Sequence, residues 1–338
     1  MKKILMASYL FAPSVGGIET MSLLLARVWS EMGYQVTVVT STPQNAANDA
    51  DFGFKVVRNP RFRTLRRLIL EHDIYFQNNI SLQFLWAWIG TRRPLFIAHQ
   101  IWLYSNTRAE AIRTRLKRFF IARATGIAIS RAIAEAVAPN SQLVGNAYDS
   151  RNFRILPGIH REKDLIFVGR LVEEKGVDIL LGALEILQKR GLTPGLTIVG
   201  TGAEEAPLRA LCARLGIENQ VEWAGVLRGA ALAARLNAHR ILVIPSTWQE
   251  PFGIVALEGI ACGCVAVGSR GGGLPDAIGP CGVLFENGDS EDLARALATL
   301  LENPATLDGY RSGAASHLEK HTEESVARAY LDVFTGKK

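Results

Sequence analysis

The chain of 338 residues has few cysteines and no long apolar run. Its four cysteines, Cys212, Cys262, Cys264 and Cys281, form no Cys-x-x-Cys pair and lack the spacing of a zinc site. A disulfide framework is typical of shorter secreted domains, so we expect a reducing, cytoplasmic setting. No apolar run reaches the roughly 18–20 residues that a membrane-spanning helix needs.

Low-complexity segments are also absent from the sequence. The 31 glycines and 13 prolines are scattered, which excludes collagen-like and disordered classes. Lys2 and Lys3 precede an apolar run from Ile4 to Ala12 that superficially resembles a signal peptide. A glycine turn and an amphipathic helical pattern follow directly, so a buried first strand explains this run better.

The positive charge is concentrated in one part of the chain. The net charge is +6, yet residues 61–131 carry thirteen Lys and Arg against three acidic residues. A basic surface therefore belongs to the N-terminal half, which bears on binding partners rather than on the fold.

Short apolar runs alternate with helical patterns, and the alternation restarts near residue 165. This order predicts parallel sheets covered by helices on both faces, hence two Rossmann-like domains. We expect domains at 1–155 and 156–321, with a polar hinge at 149–163 and a last helix at 322–334. The predicted helices of the second half are Val177–Lys189, Ala206–Leu215, Ala230–Leu236 and Ile254–Ala261.

The loop at 13–19, which contains Gly16 and Gly17, follows the first predicted strand and opens a helix. Glycine lets the backbone approach a ligand, and free amides at a helix start suit phosphate. A tight turn that needs only glycine's backbone freedom is the equally acceptable alternative.

The loop at 169–176 follows the first strand of the second half. From it, Arg170 and Lys175 can reach one diphosphate, Arg as a bidentate partner and Lys as a point charge. Surface pairing with Glu173 and Glu174 is the alternative.

Two further strand ends carry weaker signals. Gly200-Thr201-Gly202 begins like a dinucleotide fingerprint, but Glu205 occupies the third glycine position, so a nicotinamide site is a poor explanation. His99 ends a predicted strand of the N-terminal half, where either a structural or a functional role fits.

The segment from Pro245 to Glu258 is the most specific. Glu250 lies in a loop and Glu258 about one turn into a helix that starts at Gly253, Ile254 and Val255. The unpaired amides of a helix start hold phosphate oxygens, and two carboxylates accept bonds from sugar hydroxyls. A nucleotide sugar therefore fits, with Glu250 on the hexose and Glu258 on the ribose. An N-terminal cap and a helix-dipole partner are the respective alternatives.

Taken together, these residues resemble the retaining GT4 family of GT-B glycosyltransferases over nearly the whole chain. Glu250, Phe252, Gly253 and Glu258 look like the family's E-x7-E element, and residues 169–176 look like its G-R-x-x-x-x-K-G clamp. Residues 16–19 are similar to its glycine loop. Asn146, Asp149 and Phe153 are similar to its interdomain N-G-V-D segment, although Ala147 and Tyr148 depart from it, as Asp276 does from a usual Glu.

The resemblance implies two Rossmann-like domains facing across a cleft, with the C-terminal helix, 322–338, crossing back onto the N-terminal domain. It implies a nucleotide-sugar donor, with UDP-glucose favoured, held mostly by the C-terminal domain, and a saccharide or lipid-linked acceptor on the other. The donor-binding set would be Gly16, Gly17, Arg170, Lys175, Gly200, Glu250, Phe252, Gly253, Ile254, Val255 and Glu258.

For catalysis, the resemblance implies that Arg170 and Lys175 neutralise the leaving diphosphate, that Glu250 holds the sugar and that His99 lies near the reacting centre. It implies no metal and no other cofactor. Front-face attack and double displacement both remain open, and no dedicated nucleophile is evident.

Arg113, Lys117 and Arg118 lie on one predicted helix whose apolar stripe contains Ile112, Leu116, Phe119 and Phe120. We expect either a core-packed helix with a solvated cationic face or a patch for an anionic membrane or acceptor. Nucleic acid is a poor fit because no aromatic stacking platform accompanies the charge.

Two other functions compete with the transferase. A nucleotide-sugar-modifying enzyme, such as an epimerase, would use the same diphosphate residues without a separate acceptor. A non-catalytic membrane-binding module would bind lipid without turnover, but the complete donor motif set argues against it.

Overall fold

The computed structural model describes residues 2–14, 16–43, 49–104 and 107–337. The chain divides into two compact units. The first unit comprises residues 1–147 and 323–338, and the second comprises residues 148–322. The boundary expected at 155 therefore lies inside the second unit.

The first unit contains a parallel sheet whose seven described strands run in the order β3-β2-β1-β4-β5-β6-β7. The strands are rich in Val, Ile, Leu and Phe, as befits a sheet buried on both faces. Their bounds are β1 Lys3–Ala7, β2 Gln35–Thr40, β3 Lys55–Arg58, β4 Ile74–Asn78, β5 Leu95–His99, β6 Thr125–Ala128 and β7 Gln142–Leu143.

Helices cover this sheet, and the last helix of the chain is one of them. Trp29 of α1 donates an indole hydrogen bond to the Ala327 carbonyl of α14 at 3.0 Å. Phe76, Tyr330 and Phe334 complete an aromatic cluster around that indole. The helices are α1 Gly17–Glu31, α2 Phe62–Glu71, α3 Leu82–Leu85, α4 Arg108–Ile121, α5 Arg131–Val137 and α14 Glu323–Thr335.

The second unit repeats the architecture with six described parallel strands in the order β10-β9-β8-β11-β12-β13. Its core lies mainly between the sheet and helices α6 and α11. The strands are β8 Lys163–Val168, β9 Leu196–Val199, β10 Val221–Gly225, β11 His239–Ile244, β12 Val265–Ser269 and β13 Gly282–Phe285. The helices are α6 Val177–Lys189, α7 Glu205–Leu215, α8 Gly229–Asn237, α9 Ile254–Ala261, α10 Leu274–Ile278, α11 Ser290–Glu302, α12 Pro304–Ser312 and α13 Ala314–Glu319.

In each sheet the strand order reverses at one point. This point lies between β1 and β4 in the first unit and between β8 and β11 in the second. Ligands of doubly wound sheets bind beyond the carboxyl ends of the strands at such a switch point. The loops that follow β1, β4, β8 and β11 are therefore the places to look for a site.

Each unit has a buried histidine at or just before the start of an equivalent strand, His72 before β4 and His239 at the start of β11. His239 hydrogen-bonds the Arg235 carbonyl through Nδ1 and the Thr197 hydroxyl through Nε2, at 2.6 and 2.9 Å. His72 makes the same pair of contacts, with Leu68 and Thr37. Burial lowers the pKa of both histidines, that of His239 to about 4.

Most of the predicted elements are confirmed. The predicted helices Val177–Lys189 and Ile254–Ala261 coincide with α6 and α9. The apolar pattern does not predict β3 or β13, because each is a four-residue edge strand that is only partly buried.

Candidate functional site

The centre of the candidate site is a polar cluster at the switch point of the second sheet. The Lys175 ammonium forms an ion pair with Oε1 of Glu250, and the Ser246 hydroxyl donates to the same oxygen at 2.8 Å. Lys175 follows β8, whereas Ser246 and Glu250 follow β11. Their side chains are largely shielded from solvent, so the cluster lies in a partly dry environment where charge interactions are strong.

Two loops pack backbone against backbone to hold this cluster. Gly176 has a φ of +63° and begins α6. The Thr247 amide donates to the Glu174 carbonyl at 3.1 Å. A Cβ on Gly176 would overlap the carbonyl oxygen of Pro245, so only glycine fits there.

A third loop positions Glu250 from the other side. The Gly273 amide donates to the Glu250 carbonyl at 2.7 Å. Gly272, with a φ of +64°, lies so close that a Cβ would overlap that same carbonyl oxygen. Ser246, Gly272 and Gly273 therefore contribute to the candidate site, although the sequence motifs assigned none of them a role. Their signal was available, since Ser246 and the glycine run flank the two motif loops.

Helix α9 begins directly after the loop that contains Glu250. Gly253 precedes the helix with a φ of +102°, and no side chain caps it. Ile254 and Val255 therefore supply first-turn amides suited to an anion. Phe252 is buried and packs against His321, with ring centroids 5.6 Å apart. Since Gly253 occupies the capping position, the alternative role of Glu250 as a helix cap is wrong.

Glu258 lies one turn further along α9. Burial raises the pKa of its carboxyl to about 7, and the negative charge of Asp149 adds to the effect. Carboxyl groups whose pKa is raised by burial and by a nearby negative charge are found most often at functional sites.

Arg170 and Gly200 lie at neighbouring strand ends but differ in role. The Arg170 guanidinium is mostly exposed and reaches Glu174 at 4.0 Å, as the surface-pairing alternative expects. Gly200 has a φ of +142°, and a Cβ there would overlap the Gly169 carbonyl oxygen. The glycine pair at 200–202 thus allows the loops after β8 and β9 to pack closely.

In the first unit, His99 ends β5 and is 1% exposed. Its Nε2 is buried without a hydrogen-bond partner and lies near Gly126, whose added Cβ would be 3.2 Å away. Burial lowers the pKa of His99 to about 4, so the imidazole is neutral at physiological pH.

The glycine loop opens α1 as predicted. Gly16 precedes the helix in an extended conformation with no side-chain cap, and Gly17 is its first residue. Glu19 folds back so closely that a Cβ on Gly16 would overlap its carboxylate. Val15 of the same loop lies outside the described residues.

A buried polar network joins the end of β4 to α1 and to the segment after β5. Asn78, the last residue of β4, donates to the Ser22 hydroxyl at 2.7 Å and to the Ile18 carbonyl at 3.1 Å. Gln100 donates to Asn78 at 2.9 Å and accepts from Asn146 at 3.2 Å. This network was missed, because single polar residues at strand ends carry no distinctive spacing.

The basic patch lies on α4, where Arg113 and Arg118 are exposed and Lys117 is partly buried. Burial, and then the charge of Arg113, lower the pKa of Lys117. The expectation of a core-packed stripe is wrong for Ile112 and Phe119. Both side chains are about half exposed, whereas Phe120 is buried and Ile121 packs, partly buried, against the core.

Two absences hold for residues 2–14, 16–43, 49–104 and 107–337. No group of three or more His, Cys, Asp or Glu side chains has an arrangement that could hold a metal ion within those ranges. Across the same ranges, every helix is too short or too polar to traverse a bilayer.

Residues 150–317 match the model of the family described as glycosyl transferases group 1. A curated relative, D-inositol 3-phosphate glycosyltransferase 2 of Catenulispora acidiphila, is 35% identical over 182 residues. The match covers 51% of this chain and 42% of the relative, so the chain spans about two fifths of that protein's length.

Two solved structures resemble the whole chain. HepE of Anabaena in complex with UDP is 21% identical with a TM-score of 0.84, over 99% of this chain and all of the other. Its complex with UDP-glucose is 20% identical with a TM-score of 0.78 over the same shares. At these identities the likeness shows the fold.

The two doubly wound sheets and these structural neighbours define the GT-B fold class of glycosyltransferases. Within that class, the chain belongs to the group 1 glycosyltransferases and is GT4-like.

Proposed function

We propose that the protein is a retaining hexosyltransferase that takes a hexose from a nucleotide sugar, with UDP-glucose as the first candidate donor. The observation that carries this proposal is the cluster of Lys175, Glu250 and Ser246 beside the first turn of α9. It combines a cation and free amides for a diphosphate with carboxylates for sugar hydroxyls.

In this proposal each side chain has one task. Lys175 and the amides of Ile254 and Val255 bind the diphosphate, and Glu250 accepts hydrogen bonds from hexose hydroxyls. Glu258 accepts from the ribose. Arg170 is exposed in the unliganded chain and would exchange its weak surface pairing with Glu174 for the diphosphate.

The reaction breaks the bond between the anomeric carbon and the diphosphate oxygen, and forms a bond from that carbon to an acceptor hydroxyl oxygen. The acceptor proton passes to the departing diphosphate. Positive charge and amide dipoles stabilise the charge that develops on the leaving group. No step of this scheme uses a metal ion. His99, neutral at physiological pH, is our candidate for a hydrogen bond to the transferred hexose.

One observation supports the donor class, and a second supports glycosyl transfer. The structural neighbour HepE was solved with UDP and with UDP-glucose, and it shares the fold over the full chain. The relative from Catenulispora carries the name of a glycosyltransferase that acts on an inositol phosphate. For the acceptor we propose a saccharide or a lipid-linked saccharide in the synthesis of a polysaccharide or glycoconjugate.

The first experiment is a thermal-shift screen of UDP, GDP, ADP and TDP with EDTA present. A nucleotide that binds only the folded state adds about 2.7 kcal/mol at a hundredfold excess over its Kd. We expect UDP to give the largest shift, and another nucleotide in its place would reassign the donor. The absence of a shift with all four would contradict the proposal.

Product analysis with UDP-glucose then separates transfer from its alternative. A transferase consumes the donor faster when an acceptor is added and releases UDP. An epimerase-like enzyme produces an isomerised nucleotide sugar without any acceptor. Lys175→Ala should impair either reaction, whereas Lys189→Ala, which removes an exposed Lys–Glu pair on α6, should impair neither.

A further inference from the structure

One face of the first unit exposes large apolar side chains among basic ones. Five of these side chains are each between 45% and 56% exposed. We call this surface the basic apolar face, and its apolar members are Leu70 of α2, Trp86 and Ile89 of the segment after α3, and Ile112 and Phe119 of α4.

The elements that carry this face are held against one another. Trp86 and Phe119 both contact the buried Phe120 edge-on, at centroid distances of 6.0 and 5.4 Å. The Arg66 guanidinium donates to the Ile89 carbonyl at 2.8 Å and so joins α2 to the segment after α3. The exposed side chains therefore form a structured surface.

Helix α4 presents an apolar stripe that is largely exposed to solvent. Ile112, Leu116 and Phe119 have the i, i+4, i+7 spacing of a helical stripe. Among the described side chains of α4, only Phe120 is buried. An apolar stripe left at the surface marks an interaction site when it is contiguous with other apolar groups.

The charge around the stripe is mostly positive. Helix α4 carries five basic residues and one acidic residue. That acidic residue, Glu110, accepts from the Thr107 amide at 3.0 Å in a capping box at the helix start. On α2, Arg63, Arg66 and Arg67 add to the positive charge, and Glu71, 3.8 Å from Arg67, offsets part of it. Apolar groups flanked by cations are complementary to an anionic lipid interface.

We propose that the basic apolar face docks the protein on a bilayer surface that contains anionic lipid. Phe119, Ile112 and Trp86 enter the boundary between headgroups and acyl chains. Arg113, Lys117 and Arg118 bind the lipid phosphates. A second copy of the chain would match the apolar side chains but would bring like charges together, so the charge favours lipid.

The docking proposal is argued from exposed apolar side chains and positive charge, without the proposed function. Its link to catalysis rests on the proposed function, since a lipid-linked acceptor would be presented at the bilayer surface. Vesicle binding without a donor and nucleotide binding without vesicles are therefore measured separately, and either can fail alone.

The test is flotation of the full chain with vesicles of phosphatidylcholine, with and without one third phosphatidylglycerol. We expect binding to the anionic vesicles only, and a loss of binding as salt rises. Arg113→Glu with Arg118→Glu should reduce binding at least about tenfold. The control pair, Arg214→Glu with Arg228→Glu, makes the same change in net charge on the second unit and should leave it unchanged.

The apolar contribution is tested with Ile112→Ser and Phe119→Ser against Val226→Ser, a similarly exposed apolar residue elsewhere. The first two should weaken vesicle binding and the third should not. Vesicles with brominated acyl chains should quench tryptophan fluorescence, and Trp86→Phe should remove most of that quenching.

Three results would overturn the proposal. The first is equal binding to neutral and anionic vesicles, and the second is equal loss in the test and control charge pairs. The third is a dimer in sedimentation at the working concentration that Ile112→Ser abolishes, which would assign the face to a second copy. Folding of each variant is checked by its thermal unfolding in the absence of any nucleotide.

Discussion

Lys175 and Glu250 stand 75 positions apart and form an ion pair at the switch point of the second sheet. The two strands that precede them, β8 and β11, are neighbours in the sheet. The pair therefore holds together two loops that are distant in sequence. Ser246, in the same loop as Glu250, donates a second hydrogen bond to the carboxylate.

Replacing Lys175 with Ala should lower transfer activity by about 10–100-fold. A hydrogen bond to a charged group is worth roughly 1.5–3 kcal/mol, and the variant loses the one to the donor diphosphate. Steady-state kinetics with UDP-glucose and the Kd of UDP check this. Lys189→Ala serves as the control. Unchanged affinity and turnover in Lys175→Ala would contradict the assignment.

Gly176→Ala should destabilise the protein more than Gly216→Ala. Both glycines have a φ between +60° and +70°, but only at Gly176 would the new methyl group overlap a backbone carbonyl, that of Pro245. We expect a cost of about 1 kcal/mol at Gly216 from the left-handed conformation, and at least about 2 kcal/mol at Gly176. Urea unfolding of the two variants measures the difference, and equal losses would show that the loops do not pack as described.

UDP-glucose binding should strengthen as the pH rises from 6 to 8. The Glu258 carboxyl has a pKa of about 7 in the unliganded protein, and its ionised form is the better acceptor for ribose hydroxyls. Binding then releases a proton and becomes tighter as the carboxyl ionises. Calorimetry at three pH values should find this slope lost in Glu258→Gln and kept in Glu302→Gln. A slope that survives in Glu258→Gln would exclude this carboxyl as its source.

The free energy of unfolding should fall as the pH drops from 7 to 5. The pKa of His239 is about 4 in the folded protein against 6.5 unfolded, so in that window the unfolded chain binds more protons. The linkage amounts to about 2 kcal/mol between pH 7 and 5, and His72 acts in the same direction. Urea unfolding of His239→Gln should show a shallower pH dependence than that of the exposed-histidine control His160→Gln. Equal slopes in the two variants would refute the role of His239.

Much of the candidate site was predictable because its motifs are local. The E-x7-E segment places Glu258 on the helix that Gly253 begins, and both positions follow from spacing along one stretch of chain. The helix boundaries of α6 and α9 were predicted for the same reason, since an apolar stripe at helical spacing is a property of consecutive residues.

The partners of those residues were not predictable. Lys175 was expected to face either a diphosphate or its neighbours Glu173 and Glu174, and its actual partner is Glu250. Choosing between those partners requires the strand order, because β8 and β11 are brought together by the topology and not by their separation in sequence. The polar network of Asn78 and Gln100 was missed for the same reason.

The sequence by itself determined the class of fold, the two-part organisation and the chemical character of the donor loops, because strand and helix patterns and short motifs depend on near neighbours. The tertiary structure alone decided which loops meet, which carboxyl is desolvated and which apolar residues stay exposed. Burial and pairing depend on residues far along the chain. The Glu258 carboxyl therefore acquires its raised pKa only on folding, and only the folded structure shows that Phe120 is buried while the Phe119 ring stays about half exposed.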